Sequence, residues 1–156
     1  MANENPADED GRTPGAPGES PQCFTGSCLC GAMRFRIRGP LAPIQICHCT
    51  QCRKAQGAPF ATNIAVPRDA FQWEDGLALL RHYESTPGKF RYFCGNCGSP
   101  LFSARAALPD RLRVRAGLLD GPLPVRPQSH AYVDSQANWW PDVGDGLPRY
   151  PQARPG

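Results

Sequence analysis

Seven of the eight cysteines in this 156-residue chain crowd into three short strings, and that crowding governs what the chain can become. The strings are Cys28-x-Cys30, Cys47-x-Cys49-x-x-Cys52 and Cys94-x-x-Cys97, with Cys23 standing apart. Neighbours one residue apart rarely bridge as a disulfide, because the bond demands a particular separation and direction of the two Cβ atoms. The same spacing suits a metal ion, which needs several sulfurs brought to one point. The first 22 residues lack a basic start followed by an apolar stretch, and no apolar run approaches the ~20 residues of a bilayer span. A reducing, cytoplasmic setting without membrane insertion is therefore expected, in which clustered thiols read as metal ligands.

Seven sulfurs do not make two sets of four. Structural zinc is closed by four ligands, whereas catalytic zinc keeps one position open. The two-cysteine strings together supply a closed set, Cys28, Cys30, Cys94 and Cys97. Cys47, Cys49 and Cys52 then form a three-thiolate site from one segment. In an extended stretch Cys47 and Cys49 share a face, a turn brings Cys52 round, and His48 points the other way. Two closed zinc sites, with Cys23 as the eighth sulfur, remain the alternative. A redox role for Cys94-x-x-Cys97 lacks the strand-to-helix context that lowers a thiol pKa, and the string CGNCG suits a tight metal knuckle better.

Between the clusters the apolar period is two. Met33, Phe35 and Ile37 alternate with Arg34, Arg36 and Arg38, the pattern of a strand with one apolar face. Further strands are expected at 44–49, 60–66, 77–83, 89–94, 101–104, 112–116 and 131–133, punctuated by Pro and Gly, and one helical turn at 67–71. A mainly β fold of short antiparallel strands with cysteine knuckles follows. Residues 1–22 hold five acids against Arg12 alone and almost no large apolar side chain, so a disordered acidic tail is expected there. Residues 152–156 are expected to fray. The remainder carries +7, from which seven thiolates on two Zn²⁺ would remove three charges. With no basic run and an acidic tail that repels phosphate, nucleic acid is not an expected partner. The excess of 15 Arg over two Lys reads as a compositional habit.

Three strings carry a resemblance to a known family: GSCLCGA at 26–32, CHCTQCRK at 47–54 and FCGNCGS at 93–99. Together with GLLD at 117–120, the run from Pro127 and His130 to Trp139, and Leu147-Pro148, they resemble the glutathione-dependent formaldehyde-activating enzymes. That family shares its domain with centromere protein V, and the likeness spans residues 24–151. It implies an Mss4-like zinc-binding fold in a domain at 23–151. It also implies a structural zinc on Cys28, Cys30, Cys94 and Cys97, and a second, activity-associated zinc on Cys47, Cys49 and Cys52. The implied reaction is carbon–sulfur lyase chemistry, the joining of formaldehyde or another small aldehyde to glutathione as the S-hydroxymethyl adduct. Cys23 has no counterpart in the pattern.

Glutathione carries two carboxylates, so Arg53 and Lys54 beside Cys52 are candidates to hold one of them. None of the three histidines, His48, His82 and His130, is assigned as a general base, and Trp139 and Trp140 read as core or pocket wall. The competing reading is a non-catalytic, zinc-stabilised binding module of the centromere-protein type.

Overall fold

The structure, a computed structural model, describes residues 22–142 and 144–155; the expected acidic tail lies outside these except for Gln22. Among the described residues eleven strands form two sheets, with one short α-helix beside them. The smaller sheet joins β1 (Cys23–Ser27), β2 (Arg34–Arg38) and β5 (Phe71–Asp75), with β2 central and both pairings antiparallel. The larger sheet contains β3 (Ile44–Cys47), β4 (Ala61–Pro67), β6 (Leu80–Thr86), β7 (Lys89–Cys94), β8 (Pro100–Arg105), β9 (Leu108–Arg115), β10 (Pro127–Ala131) and β11 (Arg149–Tyr150). Its spatial order is β11-β10-β3-β4-β9-β8-β7-β6. Pairing is antiparallel from β3 through to β6, while β10 runs parallel to both β3 and β11.

Alternation gives each sheet an apolar inner face. From β2, Phe35 and Ile37 are buried, and their rings and branches meet Ile64, Val66, Phe102, Ala104, Leu112 and Val114 of the larger sheet. An aromatic chain seals the contact: Phe35 stacks on Phe71 with centroids 4.9 Å apart, Phe71 lies 5.5 Å from Phe102, and Phe102 stacks on Tyr92 at 4.6 Å. Such rings bury large apolar areas and gain further from offset or edge-on geometry. The result is a two-layer sandwich, the layout expected when strands alternate in and out.

The expected strands at 44–49, 60–66, 89–94, 101–104 and 112–116 correspond to β3, β4, β7, β8 and β9. The segment expected as one strand at 77–83 begins as a 3-10 turn, Leu77–Leu79, before β6. The strand expected at 131–133 lies earlier, at β10, because Tyr132 turns to φ +59 and the chain enters a 3-10 turn at Val133–Ser135. The helical turn at 67–71 is the 3-10 turn Arg68–Ala70. Beyond β11, the Gln152 carbonyl accepts the Tyr132 N–H at 2.9 Å and Arg154 reaches Gln128 at 2.6 Å. Among the described residues no helix is long and apolar enough to cross a membrane.

One glycine holds the first cysteine loop in place. Gly76 sits at φ +77, where a side chain is strained, and a Cβ there would lie 2.2 Å from the Ala32 carbonyl oxygen. The backbone just past β5 thus presses directly on the turn that carries Cys28 and Cys30. Gly76→Ala is expected to lower folding stability by about 2 kcal/mol or more, since both the dihedral and the contact must be relieved. Chemical denaturation measures this, and an unchanged midpoint would contradict the close approach.

Candidate metal centres and their surroundings

Cys28 and Cys30 follow β1 in a turn closed by the Gly31 N–H to the Cys28 carbonyl at 2.9 Å. Cys94 ends β7, and Cys97 follows in a second turn closed by the Gly98 N–H to the Cys94 carbonyl at 2.9 Å. Both closing glycines have positive φ, +73 and +74, which permits the tight return that a sulfur knuckle requires. The four sulfurs all lie within 4.8 Å of one another. Cys28 and Cys94 are buried, Cys97 is half-buried and Cys30 is exposed. Donors point at the sulfurs: the Met33 N–H reaches Cys28 Sγ at 3.3 Å and Asn96 Nδ2 reaches Cys30 Sγ at 3.3 Å. Burial pushes the Cys28 thiol up to about 11, while the Asn96 hydrogen bond draws Cys30 down to about 6. The Ser99 backbone N–H likewise lowers Cys97. All eight cysteines are free thiols. Four convergent sulfurs with N–H donors aimed at them fit a tetrahedral thiolate metal site.

The second cluster forms where β3 gives way to the helix. Cys47 ends β3, Cys49 is the N-cap of α1 (Thr50–Gln56), and Cys52 sits in its first turn. The Cys49 sulfur accepts the Cys52 N–H at 3.4 Å, so the cap itself turns Cys52 toward Cys47. The helix ends at Gly57 in the left-handed conformation. The three sulfurs lie within 4.8 Å of one another, with Cys47 and Cys52 buried. Hydrogen bonds from Cys47 and Cys49 hold Cys52 well below the usual thiol range, helped by the charges of Arg91 and Arg115. The same sharing, with burial, pushes Cys47 up. Three sulfurs from one segment can hold a metal while leaving a fourth position for another ligand.

The two sides of the strand that carries Cys47 differ in chemistry. On the Cys47 side, Gln45, Asn63, Arg115, Arg113, Ser103, Arg91 and Lys89 follow one another across β3, β4, β9, β8 and β7. Arg115 donates to Asn63, Arg113 to Gln45 at 3.1 Å and Arg91 to Gln51 of α1 at 3.1 Å. Burial lowers Lys89, Arg113 and Arg115 from their ordinary values, and the thiolates of the second cluster oppose that shift. Tyr132, at its positive φ, packs against Cys47, Cys52 and Ala61 on this same side. A bulky residue in the left-handed region is a local strain of the kind found beside functional sites.

His48 faces the other way and is buried. Its Nε2 lies 2.8 Å from His130 Nδ1, and His130 Nε2 lies 2.8 Å from Asp145 Oδ2. Phe60 and Trp140 wall a small cavity of about 70 Å³ beside this chain of side chains. Burial first, then His130, lowers His48 to about 4, so it is neutral at neutral pH. Of the remaining candidates, Lys54 is exposed and Arg53 half-buried, its Nε without a partner among the described residues. Trp139 is exposed, whereas Trp140 joins the pocket wall. Cys23 is exposed at the start of β1, and His82 stands on β6 beside Phe90 and Tyr92.

Gln45, Asn63, Arg91, Arg113, Arg115 and Asp145 were not singled out from the sequence. The alternation of Arg111, Arg113 and Arg115 with Leu112 and Val114 was a usable signal for a charged strand face. Asp145 lies in a loop with no pattern around it.

Comparison with known proteins agrees with this arrangement. A family model described as glutathione-dependent formaldehyde-activating enzyme matches residues 23–135. A Halomonas elongata protein named for that activity is 33% identical over 129 residues, covering 73% of this chain and 77% of its own. An uncharacterized lyase of Schizosaccharomyces pombe is 27% identical over 81 residues, 52% of this chain and 57% of that protein. A crystal structure of a Rhodobacter sphaeroides protein superposes with a TM-score of 0.54 at 24% identity, covering 67% of this chain and 99% of that one, and so shares the fold.

The two clusters should differ when broken. Cys94→Ser is expected to cost one metal equivalent and more than about 4 kcal/mol of stability, because it opens a set that joins the two sheets. Cys49→Ser should cost one equivalent while leaving the protein folded. Metal analysis paired with denaturation checks both, and equal damage from the two variants would contradict the division into four and three.

Proposed function

Because this chain belongs to the glutathione-dependent formaldehyde-activating enzyme family, we propose that it is a zinc-dependent carbon–sulfur lyase. It joins a small aldehyde, formaldehyde in the first instance, to glutathione as the S-hydroxymethyl adduct. Residues 23–151 are taken as its working unit. The observation that carries this reading is the pairing of a four-sulfur and a three-sulfur cluster in one chain of this family. In this reading Cys28, Cys30, Cys94 and Cys97 hold a structural zinc, and Cys47, Cys49 and Cys52 hold a zinc with an open position. Zinc bound at the open set would supply a Lewis-acid seat on which a thiol is held as thiolate near neutral pH.

The reaction adds the thiol sulfur to the aldehyde carbon, and the thiol proton ends on the former carbonyl oxygen. No atom is lost and nothing is oxidised. The chain's own residues do the remaining work. Cys47, Cys49 and Cys52 are the centre around which the sulfur nucleophile is placed. Arg91 and Arg115, whose charges stabilise Cys52 as thiolate, offset the negative charge that gathers there. Arg53 and Lys54, one turn into α1, are proposed to hold a glutathione carboxylate. Holding thiol and aldehyde together supplies several kcal/mol through proximity alone, on the order of that seen in intramolecular reactions.

The adduct also forms without a catalyst, so the test is a rate excess. NMR exchange among formaldehyde, glutathione and adduct is expected to accelerate about tenfold or more with the zinc-loaded protein. That excess should vanish in Cys49→Ser. A fully active Cys49→Ser protein would remove the three-sulfur cluster from the reaction. No acceleration by the zinc-loaded wild type would favour a binding module instead.

A further inference from the structure

Lys89, Arg105, Arg113 and Arg154 line a cavity of about 170 Å³ whose wall also contains Cys47 and Cys52. A second cleft shares its Lys89–Arg105–Arg113 wall and adds Arg111. Behind them Arg91 and Arg115 are 8% and 4% exposed, and Arg91 Nη1 and Arg115 Nε are buried without a hydrogen-bond partner. No Asp or Glu among the described residues lines either space. The anions that oppose the charge shifts of Lys89, Arg113 and Arg115 are the cysteines of the second cluster.

Cations converging this closely repel one another, and burying a guanidinium with a donor left unpaired is costly. Three thiolates on a divalent metal leave a net charge near −1, too little to balance them. Arg105, Arg113 and Arg154, which line the cavity, present guanidinium groups that suit planar anions such as carboxylate, and the buried Arg91 and Arg115 add positive charge from behind. Gln45 fixes Arg113 within the cavity wall, and Asn63 and Gln51 fix Arg115 and Arg91 behind it, so these three are held in place in advance.

We propose that this groove on the β7–β9 face is an anion site that binds a carboxylate of the thiol substrate, and so selects anionic thiols over neutral ones. The inference rests on the reading that a thiol is handled at Cys47, Cys49 and Cys52. It adds a second grip beyond Arg53 and Lys54, which suits a thiol with two carboxylates.

The test is calorimetric titration of the zinc-loaded protein with S-methylglutathione, which keeps both carboxylates but has no free thiol, and with its dimethyl ester. The acid is expected to bind about tenfold or more tightly than the ester. Arg105→Gln and Arg113→Gln should each weaken the acid while leaving the ester unchanged. Arg105 is exposed at the end of β8, so its variant tests the groove even where Arg113→Gln disturbs the sheet. Equal binding of acid and ester, no measurable binding of the acid, or sensitivity only to Arg53→Gln and Lys54→Gln overturns the groove. A lost charge preference with the Cys49-dependent rate excess intact overturns the groove alone. A retained charge preference with no rate excess overturns the reaction and supports the groove.

Discussion

The four sulfurs of Cys28, Cys30, Cys94 and Cys97 converge where the smaller sheet meets the larger one, and a metal held there would tie the two layers together. One pair hangs from the end of β1 and the other from the end of β7, so the cluster bridges elements from opposite layers. Domains of this size are stable by roughly 5–15 kcal/mol in all. A structural zinc is worth about 10 kcal/mol or more to the fold that holds it. A zinc on these four sulfurs would therefore be comparable to the whole net stability, alongside the apolar contact between the sheets. Gly76 belongs to the same device, because its lack of a side chain lets the chain just past β5 lie against the first sulfur loop.

Once the sheets are joined, the period of two sorts chemistry by face. Ile64, Val66, Phe102, Ala104, Leu112 and Val114 pack inward toward β2. Their immediate neighbours Asn63, Ser103, Arg113 and Arg115 point out beneath α1, toward the second sulfur cluster. Cys47 and His48 divide in the same way at the end of β3: the sulfur joins the basic side, and the imidazole joins His130 and Asp145 on the other. A strand cannot present consecutive side chains to one point. This separates the histidine chain from the sulfurs, although Cys47, His48 and Cys49 are consecutive in sequence.

Much of this was legible beforehand. The sulfur strings were visible as spacing, and the gathering into four and three follows from grouping the short strings together. The alternation of Phe35 and Ile37 with arginine announced β2, and β7 was readable to its ends. The helix α1 was not. Its seven residues, TQCRKAQ, contain no apolar stripe, and it exists because Cys49 caps it and Cys52 packs beneath it. β1 was missed because CFTGS has no alternation, and β10 was misplaced because its parallel pairing with β3 joins residues far apart in sequence. In the sequence alone the arginines of β9 read as composition. Their meaning depends on Lys89, Arg91 and Arg105 arriving from neighbouring strands, which no local window contains.

The central claim is that one metal site is closed and the other open. Zinc K-edge X-ray absorption on the two-zinc protein tests it most directly. The account predicts an average sulfur count between three and four per zinc, with one light oxygen or nitrogen scatterer replaced by sulfur when glutathione is added. Cys49→Ser should then retain a single zinc with four sulfurs. Four sulfurs around both metals, unchanged by glutathione, would contradict it.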